Sequence, residues 1–213
     1  MKILKKITFL MLLLMPVFAF AHTGHAEQGQ LGFLAGFTHP FTGLDHMMMA
    51  FALGVLFYSA SKRWNLIGLI CMVAALLVGF LIGQKGMIPV HLAEYGIVAS
   101  LALLAVALWF HSKTIMPIAT ALLVTFHGVA HGVELGHSGD AIAVISGMLM
   151  AMSLLYLLGQ CFTAFAIKYI PHGQKIVAVL TAIVAVFALS WFYRILFTFL
   201  MLCGCWNTKH FFA

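Results

Sequence analysis

Charge is scarce in this chain. Only 8% of its 213 residues are Asp, Glu, Lys or Arg, where an ordinary soluble domain carries about 25%. Acid is scarcest, with 5 Asp and Glu against 11 Lys and Arg. Hydrophobic residues make up 64% of the sequence and the mean hydropathy is +1.11. So little polar surface cannot clothe a soluble globule, which excludes a cytosolic enzyme, and a chain this apolar does not stay disordered. Four cysteines are too few for a small disulfide-stapled secreted module. The composition is that of an all-α integral membrane protein. Against this background stand 11 histidines, more than twice the number of acids.

The first residues, Met1-Lys2-Ile3-Leu4-Lys5-Lys6, are basic. An apolar run from Ile7 to Phe20 and the small-residue pattern Ala19-Phe20-Ala21 follow. Together they predict a signal peptide over residues 1–21. Cleavage after Ala21 would expose His22, with His25 close behind. A terminal amine and an imidazole on one residue can chelate a divalent metal.

Residues 22–213 read as a single six-helix transmembrane domain. Its apolar stretches are Leu31–Ala60, Leu66–Gly83, Val90–Phe110, Ile115–Leu135, Ala141–Ile167 and Ile176–Leu202. A helix needs about 20 residues to cross the hydrocarbon. Short connections predict antiparallel sequence neighbours packed as one bundle. With the mature N-terminus exported, the inner segments 61–65, 111–114 and 168–175 carry Lys62, Arg63, Lys113, Lys168 and Lys175. The outer segments carry only Lys85 and Lys209. That bias follows the positive-inside rule, so the net charge of +6 is an orientation signal and does not argue for nucleic acid. Glycines four apart, Gly32/Gly36, Gly79/Gly83 and Gly128/Gly132/Gly136, predict close helix packing. Cys71 and Cys161 read as core residues.

Polar groups inside a span are expensive and need partners. Asp45, Glu94 and Glu134 fall inside the apolar stretches, as do His39, His46, His91, His127 and His131. In the first span, His39-Pro40-Phe41-Thr42-Gly43-Leu44-Asp45-His46 sets two histidines seven apart, within about 20° of one helix face. Pro40 removes a backbone donor, and Gly43 leaves space near the histidines. A Pro/Gly interruption of this kind points to a binding site. In the fourth span, His127, His131 and Glu134 stand at i, i+4 and i+7 on one stripe. His91 and Glu94, an i, i+3 pair, open the third span near the outer surface. Imidazole suits Ni²⁺, Co²⁺, Zn²⁺ and Cu²⁺, whereas Mg²⁺ and Ca²⁺ need more oxygen ligands than this chain offers. The 13 methionines are apart from the histidines and read as packing. His111, His172 and His210 read as loop or tail residues.

The segment His39-Pro40-x-x-Gly43-x-Asp45-His46 resembles the H-P-x-x-G-x-D-H signature of the HupE/UreJ family of nickel/cobalt permeases. Phe126-His127-Gly128-x-Ala130-His131-Gly132-x-Glu134 resembles that family's second signature, at its expected place in the fourth span. The resemblance extends over nearly all the mature chain. It implies a secondary permease that takes up Ni²⁺ or Co²⁺ without an ATPase subunit and without a tightly bound cofactor, supplying urease, hydrogenase or cobalamin pathways. The expected metal set is His39, Asp45, His46, His127, His131 and Glu134 centrally, His91 and Glu94 at the mouth, and His22 and His25 in the exported tail. Two other classes use the same residues: a membrane-embedded metalloenzyme with Glu134 as general base, and a proton path through His, Asp and Glu. Three spans on either side would set spans 1 and 4 in opposite orientations, as an inverted repeat does, although the halves share too little sequence to establish one.

Overall fold

The computed structural model describes residues 32–60, 62–110, 115–136 and 140–202. The expected signal peptide, His22, His25, His111, His210, Cys203 and Cys205 lie outside these residues. The described chain is helical: α1 (Phe33–Thr38), a 3₁₀ turn (His39–Phe41), α2 (Leu44–Tyr58), α3 (Lys62–Gln84), α4 (Val90–Phe110), α5 (Ile115–Leu135), α6 (Ala141–Tyr169) and α7 (Gly173–Leu202). Four of these hold a stretch long and apolar enough to cross a membrane: Arg63–Gln84, Val90–Phe110, Ala141–Phe165 and Gly173–Ser190. Phe33–Phe41 and Leu44–Tyr58 pass the same test when taken together, which makes up to five. In α5 the described apolar stretch is Leu122–Leu135, shorter than a crossing. Large apolar side chains face outward on these helices, among them Ile142, Leu34, Phe110 and Phe187, as suits a surface solvated by lipid.

The interruption read at Pro40 and Gly43 is a full break of the first span. The span forms two helices bent by 81°. Pro40 has no N–H to give to the preceding turn and sits at the start of the 3₁₀ turn. The carbonyl of His39 accepts the backbone N–H of Thr42 at 3.0 Å and its hydroxyl at 2.7 Å, which closes the turn. Gly43 then takes an extended conformation, φ −105° and ψ 125°, and α2 restarts with the N–H of Met47 donating to its carbonyl. Asp45 falls in the first turn of α2, where the helix dipole favours a negative charge.

The tightest packing skips one helix along the chain. A Cβ on Gly79 or Gly83 of α3 would strike the carbonyl of Thr125 or Val129 in α5, and one on Gly128 or Gly132 would strike Leu76 or Phe80 in return. Residue numbers rise together in these pairs, so α3 and α5 run parallel. The first span and α6 interlock in the same way: Gly36 meets Val144 and Gly54 meets Tyr156, while Gly147 meets Phe33 and Gly159 meets Phe51. Glycine permits this approach because only its missing side chain lets two backbones touch. Around these two pairs, α4 packs on both α5 and α7, and α7 packs on α2.

Cys71 and Cys161 were expected in the core, and both are exposed on the helix surface instead. A small apolar side chain gains little by turning from lipid to protein, since both are apolar. The inner segment 61–65 is shorter than expected, because α3 already begins at Lys62.

Candidate metal-binding site

The break in the first span and the N-terminus of α2 bring His39, Asp45 and His46 against the middle of α5, which supplies His127 and His131. Ring centroids lie 5.3 Å apart for His39 and His46, 4.7 Å for His39 and His131, 4.6 Å for His46 and His131, and 5.1 Å for His46 and His127. Two overlapping groups of metal-capable ligand atoms result, His39/His46/His131 and Asp45/His46/His127, each with all its atoms within 4.8 Å of one another. His46 is common to both.

Hydrogen bonds set the ring orientations. His46 Nδ1 lies 2.8 Å from Asp45 Oδ1, and His127 Nδ1 lies 2.9 Å from the carbonyl of Leu123 one turn earlier. Each Nδ1–H donates to its oxygen, which assigns the free lone pair to Nε2 in both rings. His46 Nε2 accepts from His131 Nε2 at 2.6 Å. The second carboxylate oxygen of Asp45 is 3.8 Å from His127 Nε2, so one acid stands between two imidazoles. Three ring nitrogens are buried with no hydrogen-bond partner: His39 Nε2, His127 Nε2 and His131 Nδ1. Buried polar atoms are nearly always paired; His127 Nε2 faces Asp45 and His131 Nδ1 faces Glu134, and imidazole nitrogens beside carboxylates form a donor set for a borderline cation.

The spacing is close to what an ion needs. Ligands about 2.1 Å from a metal and about 90° apart stand roughly 3.0 Å from each other. The two Nε2 atoms at 2.6 Å need open only by a few tenths of an ångström. Burial is graded across the site. His127 and His131 are buried at 0% and 2% exposure, while the Asp45 side chain keeps 28%. Along α2 away from His46, Met49, Leu53 and Phe57 are fully enclosed, as are Met148, Met152 and Tyr156 of α6. This apolar packing seals one side of the cluster.

Five of the expected residues meet here: His39, Asp45, His46, His127 and His131. Glu134 stands at the rim. It is exposed, and its carboxylate approaches His131 Nδ1 only to 4.0 Å. His91 and Glu94 are exposed on α4 and belong to neither ligand group. The carbonyl of Leu123 was not anticipated as part of the site. Its signal was present, because a histidine in a helix can donate to the carbonyl four residues earlier.

The HupE / UreJ protein family model matches residues 10–190. Protein HupE of Rhizobium leguminosarum bv. viciae is 33% identical over 165 residues, which cover 75% of this chain and 83% of that protein. No solved structure matches. The matched residues hold both histidine motifs and every helix that contributes to the cluster, and the chain belongs to the HupE/UreJ family.

Proposed function

We propose that the protein is a secondary permease importing Ni²⁺ or Co²⁺ across the bacterial inner membrane. It does so as a six-span bundle with a cleaved signal peptide and a periplasmic mature N-terminus. The observation that carries this reading is the convergence of four imidazoles and one carboxylate from two packed segments, with three buried ring nitrogens lacking partners. His39, Asp45, His46, His127 and His131 bind the ion as substrate; Glu134 at the rim adds a negative charge on its approach. His91 and Glu94 lie on the outer approach, and His22 and His25 capture metal in the exported tail. The site is built from neutral donors around a single carboxylate, so it holds a cation loosely enough to release it. Nothing in this reading requires a resident cofactor or a catalytic step.

Uptake of radiolabelled Ni²⁺ and Co²⁺ by metal-starved cells tests it. Expression should raise accumulation of one or both ions, and His46→Ala should abolish the gain. Unchanged accumulation in His46→Ala, at equal protein level in the membrane, overturns the assignment. Competition between the two ions identifies the preferred one.

A further inference from the structure

Between α4 and α7, two helices that give no residue to the candidate ligand groups, runs a groove of about 520 Å³. Its floor is made of small residues, Ala102 and Ala105 on α4 and Ala178, Ala182 and Ala185 on α7, and Trp109 carries the one polar side-chain group among the residues that line it. The groove follows α4 from Val98 to Phe110. At about 1.5 Å per residue that is a length of roughly 18 Å, close to one leaflet of a hydrocarbon core about 30 Å thick. A helix from another protein would use the whole thickness, whereas an acyl chain uses one leaflet.

One end of the groove is polar. There Trp109 lines the wall, and the amine of Lys175 lies 5.2 Å from the centre of its ring. A tryptophan with a lysine above it is typical of the level of the lipid headgroups. Gln174 beside it donates to the carbonyl of Leu108 at 3.1 Å, which ties the start of α7 to the end of α4. Lys175 makes no ion pair among the described residues. The five acids of the chain all precede residue 141, so the amine at the mouth of the groove has no carboxylate near it in sequence.

The geometry points to a binding groove for one anionic phospholipid, with an acyl chain along the alanines of α4 and α7 and the phosphate at Lys175. Apolar length and a cation at the correct end are the two features such a lipid recognises, and the site does not depend on which ion the protein carries. A lysine near a membrane surface strengthens the attraction of anionic lipid by about fivefold.

Native mass spectrometry of the full-length, delipidated protein in detergent tests this with added phosphatidylglycerol or phosphatidylethanolamine. The wild type should retain one phosphatidylglycerol per chain in preference to phosphatidylethanolamine. Lys175→Gln should weaken phosphatidylglycerol about fivefold and leave phosphatidylethanolamine unchanged, while Lys175→Arg keeps the preference. Ala102→Leu places a larger side chain in the groove from an exposed position and should weaken both lipids. Equal retention of the two lipids by the wild type, or undiminished phosphatidylglycerol in Lys175→Gln, overturns the proposal. So does an Ala102→Leu variant that changes only the monomer–dimer ratio, because the groove's occupant is then a second copy of the chain.

Discussion

Replacing Asp45 with asparagine removes one negative charge from the site and changes almost nothing in volume. The carboxylate does two things. One oxygen accepts from His46 Nδ1 at 2.8 Å, which leaves His46 Nε2 aimed at the cluster. The other stands 3.8 Å from the unpartnered Nε2 of His127. In Asp45→Asn the amide oxygen can still accept from His46, so the ring orientation survives and only the charge is lost. Asp45→Ala loses both charge and orientation. Removing a partner that orients a metal-binding histidine costs about 10- to 100-fold in metal affinity. Asparagine should therefore fall near the lower figure and alanine near the upper, or about 1.4 and 2.8 kcal/mol at 1.4 kcal/mol per tenfold. Calorimetric titration of Ni²⁺ and Co²⁺ into the detergent-purified protein at fixed pH measures both. His91→Ala is the control, since His91 is exposed on α4 outside both ligand groups, and its affinity at the central site should match the wild type. Wild-type affinity in both Asp45 variants would refute the role of this carboxylate, and graded loss, smaller for asparagine than for alanine, would support it.

Three further outcomes follow from the packing. In Gly43→Ala the new Cβ would stand 2.7 Å from Asp45 Oδ1 and against His46 Nδ1; the backbone there is open to alanine, so the fold should hold while metal affinity falls about tenfold, read by the same titration. Gly132→Ala would drive a methyl group into the carbonyl of Phe80, and thermal unfolding in detergent should show a loss of about 1–3 kcal/mol from overpacking. Tyr156→Phe removes a hydroxyl that donates to the carbonyl of Asn65 at 2.8 Å; it should cost about 0.5–1.5 kcal/mol in the same unfolding assay and leave metal affinity untouched.

Much of the site was legible because a polar residue in an apolar chain announces itself. His39, Asp45, His46, His127 and His131 stand out on cost alone, and they are the residues that meet. The same argument could not rank them against Glu134, His91 and Glu94. A carboxylate or imidazole near a helix end can turn outward, as Glu134 does at 54% exposure, and periodicity carries no record of that choice. The glycine rows foretold close packing, which forms at Gly36, Gly79, Gly83, Gly128 and Gly132 and not at Gly32, and they left the partner helices open. Lateral placement in a membrane depends on which surfaces match in shape, and apolar residues there offer no inside-outside contrast, as Cys71 and Cys161 demonstrate. The bend after Pro40 was half visible: the residues that break a helix were plain, but its angle depends on the turn closed by Thr42.

That bend decides what the first motif can do. In a straight helix His39 and His46 would be separated by seven rises, about 10.5 Å along the axis, and one ion could not bridge them. With the chain turned by 81°, their rings approach to 5.3 Å and both reach His131. Helix α5 needs no such device, since His127 and His131 are one helical turn apart and already adjacent. The two segments that carry the histidines nevertheless share some of their packing. The first span packs on α6 as α5 packs on α3, and α7 packs on α2 as α4 packs on α5. The first span and α5 bring their histidines to each other. They differ in that Pro40 and Gly43 break the first span while α5 runs unbroken, and at that break the donor set becomes compact enough for a single cation.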